Sequence, residues 1–267
     1  MSEPVVTCEI DARGIAHVTL NRPEVNNAYN QDMISGLLEG VMALSVNDDV
    51  RLIVLRGNGR YFQAGADLKF MEALGKRAFD ENLHMSQITT DLVRYLDECP
   101  KPTIALVQGG AFGGGVGVLC ACDVVIASQE AIFSIAEVRW GLVAGPIVPQ
   151  MCAAIGTRNV RRYALSAETF DAARACEMGL VHEVCATGKL EETAAPIIDK
   201  FLKNSPSAIA ETKAIMFDTA YSRVDDALAN HLALEHALRR RTEEGMEGLA
   251  SFKEKREASW YPGPAKD

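Results

Sequence analysis

Three stretches of the sequence hold residues whose types and spacing could do chemistry. The first is the glycine cluster Gly109-Gly110-Ala111-Phe112-Gly113-Gly114-Gly115-Val116-Gly117. A glycine-rich loop entering a helix binds phosphate, binds a dinucleotide, or presents backbone N–H groups to a developing anion. The dinucleotide spacing G-x-G-x-x-G fails: counted from Gly113 and Gly115, its last glycine falls on Val118. The P-loop fails as well, because the cluster contains no Gly-Lys-Ser or Gly-Lys-Thr. N–H donors at a helix start remain, where the helix dipole also favours negative charge. The other use of such glycines is close packing of backbone on a neighbouring strand.

The second stretch, Tyr61-Phe62-Gln63-Ala64-Gly65-Ala66-Asp67-Leu68-Lys69, has small residues that let a ligand approach the backbone, with a further N–H at Ala66; a plain turn would read the same. The third runs from Phe133 to Leu142 and sets Glu137 in a mostly apolar segment. A carboxylate in apolar surroundings has its pKa raised towards the working range of a general acid or base. A surface pair of Glu137 with Arg139 is the alternative. Histidines add little: His231 and His236 are five apart, off a shared helical face, and neither H-E-x-x-H nor a zinc pattern occurs. Gly-x-Ser-x-Gly is absent, so a nucleophile-elbow hydrolase is unsupported.

The elements that must position these residues follow from pattern. Val5 to Ile10 and Ile15 to Leu20 flank the turn residues Asp11-Ala12-Arg13-Gly14 and predict a hairpin, stopped by Asn21-Arg22-Pro23. From Asn30 to Leu44 the apolar residues Met33, Leu37, Val41 and Leu44 recur at helical spacing. Leu52 to Leu55, Thr103 to Val107 and Val124 to Ala127 read as buried strands, and Val118 to Cys122 as a short helix after the glycine loop. Alternating strands and helices predict an α/β chain with largely parallel pairing. Beyond about residue 186 strand signals fade, and 191–203, 206–221 and 224–246 read as helices.

Composition bounds the function. The chain has 267 residues, 48% hydrophobic and 24% charged, enough to bury a core without a metal or disulfide staple. A net charge of -9 argues against nucleic acid as the main partner. Seven cysteines without a C-x-x-C pair read as reduced core residues of a cytoplasmic protein. The start, Met1-Ser2-Glu3-Pro4, lacks the pattern of a secretory signal, and no apolar run is long enough to suggest a membrane span.

Taken together and in order, these segments resemble the enoyl-CoA hydratase/isomerase (crotonase) family. The likeness runs from about Val5 to Arg256. It is carried by Leu20-Asn21-Arg22-Pro23, Phe62 to Leu68, Lys101-Pro102-Thr103-Ile104-Ala105, Ala111 to Gly115 with Cys122-Asp123, and Phe133 to Leu142. The resemblance implies a spiral of repeated β-β-α units over 1–195 and a helical trimerisation region over 196–267, assembled as a homotrimer or homohexamer. It implies an acyl-CoA thioester substrate and no cofactor or metal beyond the coenzyme A moiety. By position, Ala66 and Gly114 match the two N–H donors of an oxyanion hole. Ala64, Gly65, Ala66, Asp67 and Leu68 match the loop that cradles the adenine end of coenzyme A, Arg22 matches a contact to its phosphates, and Gly114 and Gly117 are expected to line the substrate site.

One departure matters. Hydratases of the family commonly carry two glutamates; one matches Glu137, while the other falls on Gly117. A single glutamate can add water in a syn sense, or shuttle a proton between the two carbons flanking a migrating double bond, which is the isomerase reaction. Residues 111–123, 136–142 and 161–180 are similar to bacterial hydratases of branched glutaconyl-CoA thioesters, the methylglutaconyl and isohexenylglutaconyl kinds. Such a substrate carries a second carboxylate, for which Arg139 is a candidate partner by nearness. An acyl-carrier-protein thioester and a catalytically silent thioester-binding subunit are the remaining alternatives.

Overall fold

In the computed structural model residues 3–265 are described; Met1 and Ser2, half of the N-terminal tetrapeptide read above, lie outside them. Val6–Ile10 (β1) and Ile15–Leu20 (β2) form the expected antiparallel hairpin. Its turn closes on the Asp11 carboxylate, which accepts the N–H groups of Arg13 and Ile15 at 2.8 and 2.9 Å. The remaining strands are Leu52–Gly57 (β3), Thr103–Val107 (β4), Gly110–Phe112 (β5), Val124–Ser128 (β6), Ile132–Ser134 (β7), Phe170–Asp171 (β8) and Glu183–Cys185 (β9). A six-stranded sheet has the order β1-β2-β3-β4-β6-β9, parallel beyond the first pair, and a three-stranded sheet has the order β5-β7-β8.

The helices are Gln31–Ser45 (α1), Leu68–Gly75 (α2), Phe79–Asp97 (α3), Gly114–Cys120 (α4), Val148–Ser166 (α5), Ala172–Met178 (α6), Leu190–Lys203 (α7), Pro206–Thr219 (α8), Asp226–Arg239 (α9) and Glu243–Glu254 (α10). The spiral is visible in the order of elements. β4, β5 and α4 make one strand-strand-helix turn and β6, β7 and α5 the next, with the first strand of each in the large sheet and the second in the small one.

The central strands are apolar along their middles, with polar residues such as Arg56, Thr103 and Ser128 kept to their ends, because both faces of the sheet are covered. Ile53, Leu55, Ala105, Val107, Val125 and Ala127 point into one core with α1, α3 and α4. Leu52, Val54, Ile104, Leu106 and Ile126 point into a second, closed by Ala194, Ile198 and Leu202 of α7. Each valine, leucine or isoleucine among them stabilises the fold by about 1.5–3 kcal/mol through removal from water. The boundary read at 195 falls inside α7, whose packing on the sheet continues to Leu202. A polar tie joins the strand starts. Asp123 Oδ2 accepts Thr103 N–H and Oγ1–H at 2.8 and 3.0 Å and the buried Lys213 ammonium at 2.8 Å.

One expected helix is two. The stretch 224–246 breaks between Arg239 and Glu243, because the Thr242 hydroxyl accepts the Gly245 N–H at 3.0 Å and starts α10 as an N-cap. The cysteines also divide. Cys99, Cys122 and Cys185 are buried, whereas Cys8 and Cys176 are exposed, so the expectation of core cysteines holds for part of the set. Among the described residues no helix is long and apolar enough to cross a membrane.

Candidate active site

β5 ends at Phe112, and Gly113 turns the chain into α4 with φ 51° and ψ -122°. Only glycine adopts this conformation cheaply. A side chain there would also collide with Glu137, whose Oε1 lies 2.9 Å from where a Cβ would stand. The first N–H groups of a helix have no partner four residues back. That of Gly114 meets no protein acceptor among the described residues.

The loop before α2 is laid beside this turn by two short bridges. Gln63 pairs with Ala111, and Tyr29 pairs with Ala66. In the second bridge Tyr29 N–H donates to Gly65 O at 2.8 Å and Asp67 N–H to Tyr29 O at 2.9 Å. Ala66, between those two bonds, keeps an N–H without an acceptor among the described residues. Asn27 is fully buried and anchors the loop, its amide donating to the carbonyls of Asn58, Tyr61 and Phe62 at 2.8, 2.9 and 3.2 Å. The Tyr29 ring then closes on the glycine turn, with Cε1 2.7 Å from where a Gly114 Cβ would stand.

Of the residues expected to hold coenzyme A, Gly65 is buried, Ala64, Ala66 and Asp67 are half-buried, and Leu68 is exposed. Arg22 reaches the same loop from behind, donating to Ala28 O at 2.6 Å and to Asp67 Oδ2 at 3.3 Å. Burial works against the Asp67 charge. Hydrogen bonds from Phe70 N–H, Arg22 and Lys69 N–H outweigh it and hold the carboxyl below the usual range. Arg22 thus braces the loop through Asp67.

Glu137 opens the short 3-10 turn Glu137–Trp140 after β7. Its Oε2 is buried and has no hydrogen-bond partner, and burial pushes its pKa above the ordinary value. A carboxyl with a raised folded-state pKa favours the fold at low pH and costs stability once ionised. Glu137→Gln is therefore expected to melt higher than the parent at pH 7, by about 2–4 °C for each 1 kcal/mol relieved. The difference should shrink as pH falls through the raised Glu137 value and vanish below the ordinary carboxylate range of about pH 4. A variant melting lower at pH 7 would contradict the buried, strained charge.

Gly114, Tyr29 and Glu137 share the wall of a cavity of about 520 Å³. α3 supplies Asn82, Met85, Ser86, Thr89 and Thr90, α2 supplies Phe70, Met71 and Leu74, and the segment Leu142 to Ile147 closes the far side. A narrow apolar recess of about 30 Å³ leads inward past Gly114, between Leu20, Met33, Leu37, Phe62 and Val118. Among these lining residues Glu137 carries the sole carboxyl and no residue carries a permanent positive charge. No cluster of His, Cys, Asp or Glu able to hold a metal occurs among the described residues.

The profile of the enoyl-CoA hydratase/isomerase family matches residues 11–262. The chain belongs to this family. It is similar to a solved enoyl-CoA hydratase of Shewanella pealeana, with 37% identity over 96% of both chains and a TM-score of 0.92. A 2,3-dehydroadipyl-CoA hydratase of Escherichia coli is 30% identical over 96% of this chain and 97% of its own. A peroxisomal dienoyl-CoA isomerase of Arabidopsis thaliana is 28% identical over 80% of this chain and 81% of its own. The protein is therefore an enzyme-family member of crotonase fold, related to hydratases and isomerases alike.

Against the family pattern, Gly117 stands apart from the cavity. It is buried on α4, and a Cβ there would lie 2.6 Å from Ile147 Cβ. Ile147 hydrocarbon thus fills the space that a side chain at Gly117 would enter. Gly117→Ala is expected to destabilise by about 1–3 kcal/mol through overpacking, seen as a lower urea midpoint at constant slope. Adding Ile147→Ala should recover part of the loss; no recovery would mean that the two side chains do not compete.

Arg139 does not reach the cavity. Its guanidinium donates to Ala167 O at 3.0 Å, beside Ser134 Oγ on the same carbonyl at 3.2 Å. In a 3-10 turn each residue advances about 120°, so the side chain two after Glu137 leaves on another face. The expected pairing of Arg139 with a substrate carboxylate is therefore corrected. Tyr29 and Asn27, outside the three stretches read from the sequence, tie the two loops together with Gln63. Only the asparagine pair before Ala28 hinted at this, because Asn tolerates the positive φ of 54° and 57° seen at Asn26 and Asn27.

Proposed function

We propose that the protein adds water across the double bond of a 2-enoyl-CoA thioester, passing through an enolate held by the N–H groups of Ala66 and Gly114. The observation that carries this reading is the acceptor-free Gly114 N–H on the wall of a largely apolar cavity whose sole carboxyl is Glu137. Glu137 takes a proton from water as the water oxygen bonds to the β-carbon. The π electrons move onto the thioester oxygen, where two preorganised donors stabilise charge most when it is largest. The enolate then collapses as its α-carbon takes the proton back from Glu137. One carboxyl suffices for this syn addition, in keeping with a Gly117 covered by Ile147.

The loop Ala64 to Leu68 is read as the cradle for the adenine end of coenzyme A, ordered by Arg22 through Asp67. For the acyl group we retain a branched glutaconyl-type chain, on the likeness of residues 111–123, 136–142 and 161–180. With Arg139 turned away, its second carboxylate would meet neutral donors along α3, where the Asn82 amide makes no hydrogen bond among the described residues. For assembly we retain a homotrimer or homohexamer; the exposed Phe217, Tyr221, Leu238, Leu249 and Phe252 of the C-terminal section support it.

Isomerisation is the second reading, favoured by the lone carboxyl, since Glu137 can carry a proton between two carbons without water. Crotonyl-CoA or methylglutaconyl-CoA losing its ultraviolet absorbance on incubation would support hydration. A 3-enoyl-CoA gaining that absorbance, with the first two inert, would support isomerisation. Silence with coenzyme A and acyl-carrier-protein thioesters from a folded protein would leave a binding subunit.

A further inference from the structure

Hydration needs a water held in one orientation, and Gly117, where the resemblance to the family places a second carboxyl, is covered by Ile147. The other polar side chains of the cavity can be taken in turn. The hydroxyls of Ser86, Thr89 and Thr90 donate back to the carbonyls of Asn82, Met85 and Ser86 within α3. Asn82 lies seven residues before Thr89 on that helix, about 10 Å further along its axis at 1.5 Å per residue. Tyr29 remains.

Its hydroxyl has no hydrogen-bond partner among the described residues, and it is not among the buried unpartnered atoms, so it opens on the cavity that Tyr29 lines. The ring flanks the same peptide as the carboxyl of Glu137. Tyr29 Cζ is 3.4 Å from where a Gly114 Cβ would stand, and Glu137 Oε1 is 2.9 Å from where a Gly113 Cβ would stand. The backbone bridge to Ala66 fixes the residue at both its N–H and its carbonyl. Burial, and then the negative charge of Glu137, push the phenol up to about 12, so it stays a neutral hydroxyl at working pH.

We propose that Tyr29 is a positioning residue for hydration: one water donates a hydrogen to Glu137 Oε1, the carboxyl oxygen that is not buried, and its other to Tyr29 Oη, poised for attack on the β-carbon. This rests on the hydratase reading and extends it. The proton that leaves the water goes to Glu137; the tyrosine orients and transfers nothing.

Tyr29→Phe keeps the ring on Gly114 and removes the oxygen. Two rates are to be compared in the parent and the variant: hydration of crotonyl-CoA, and exchange of the α-protons of butyryl-CoA in heavy water, which uses Glu137 and the enolate without water addition. Hydration kcat should fall about 3- to 10-fold, the loss expected for one hydrogen bond between neutral groups, with KM little changed. The ratio of hydration to exchange should fall with it. Equal hydration in both proteins, or an equal fall of both rates, would overturn the proposal. A parent that exchanges protons but hydrates no enoyl-CoA would instead sink the hydratase reading. A crystal structure with bound butyryl-CoA decides independently of turnover: a water bridging the two oxygens is expected, and an unbridged pair overturns the role of Tyr29.

Discussion

Glu137→Gln is expected to lower kcat for thioester turnover by about 10²- to 10⁴-fold, the range for loss of a positioned general acid–base, while acyl-CoA still binds. The amide has nearly the shape of the carboxyl and can neither take the proton from water nor return it to the α-carbon. Among the cavity-lining residues no other carboxyl stands in reserve. In the parent, the base form must be ionised, so kcat/KM should rise with pH through a limb displaced upward from an ordinary glutamate, following the burial of Glu137. The variant should lose that limb along with the rate. Most of the activity persisting in Glu137→Gln, with the limb in place, would assign the acid–base elsewhere.

The second large effect concerns a backbone group, which among substitutions only proline deletes. Ala66→Pro removes one backbone N–H and is expected to slow turnover by about 10²- to 10³-fold, as for other lost oxyanion donors. The bridge to Tyr29 uses the N–H of Tyr29 and of Asp67, so proline at Ala66 breaks neither bond. Ala66→Gly keeps the N–H and serves as the control. Should Ala66→Pro, folded and melting normally, turn over at the rate of Ala66→Gly, charge on the thioester oxygen would not be met at Ala66. Affinity for free coenzyme A, measured by calorimetry, should separate donor loss from damage to the loop.

Much of this was legible in the residues. Leu52 to Leu55 and Thr103 to Val107 announced buried strands because a doubly covered sheet needs no polar alternation. The Met33–Leu37–Val41–Leu44 stripe announced α1 because a single face is buried. The helix α3 escaped notice: its buried Met85, Leu92, Val93 and Leu96 are diluted by polar residues that line the cavity or face solvent. The break before α10 was signalled by Thr242-Glu243-Glu244-Gly245 but masked by the apolar residues on either side. At the site, the glycine turn and Glu137 could be picked out by type, since few chemistries need both. Tyr29 could not, because its place beside Ala66 comes from a pairing between segments far apart in sequence. Arg139 misled for the converse reason, being near in sequence and turned away in space.

The double covering of the large sheet has a further consequence. A strand with one wet face is held in register by polarity, since a slip of one residue would drown its apolar side chains. In β3, β4 and β6 such a slip would merely trade one oily compartment for the other, at small cost. Alignment there must come from the strand ends, and the knot of Thr103, Asp123 and Lys213 is the peg that counts the residues off. Because Lys213 belongs to α8, the C-terminal helices help to index the strands on either side of the glycine turn.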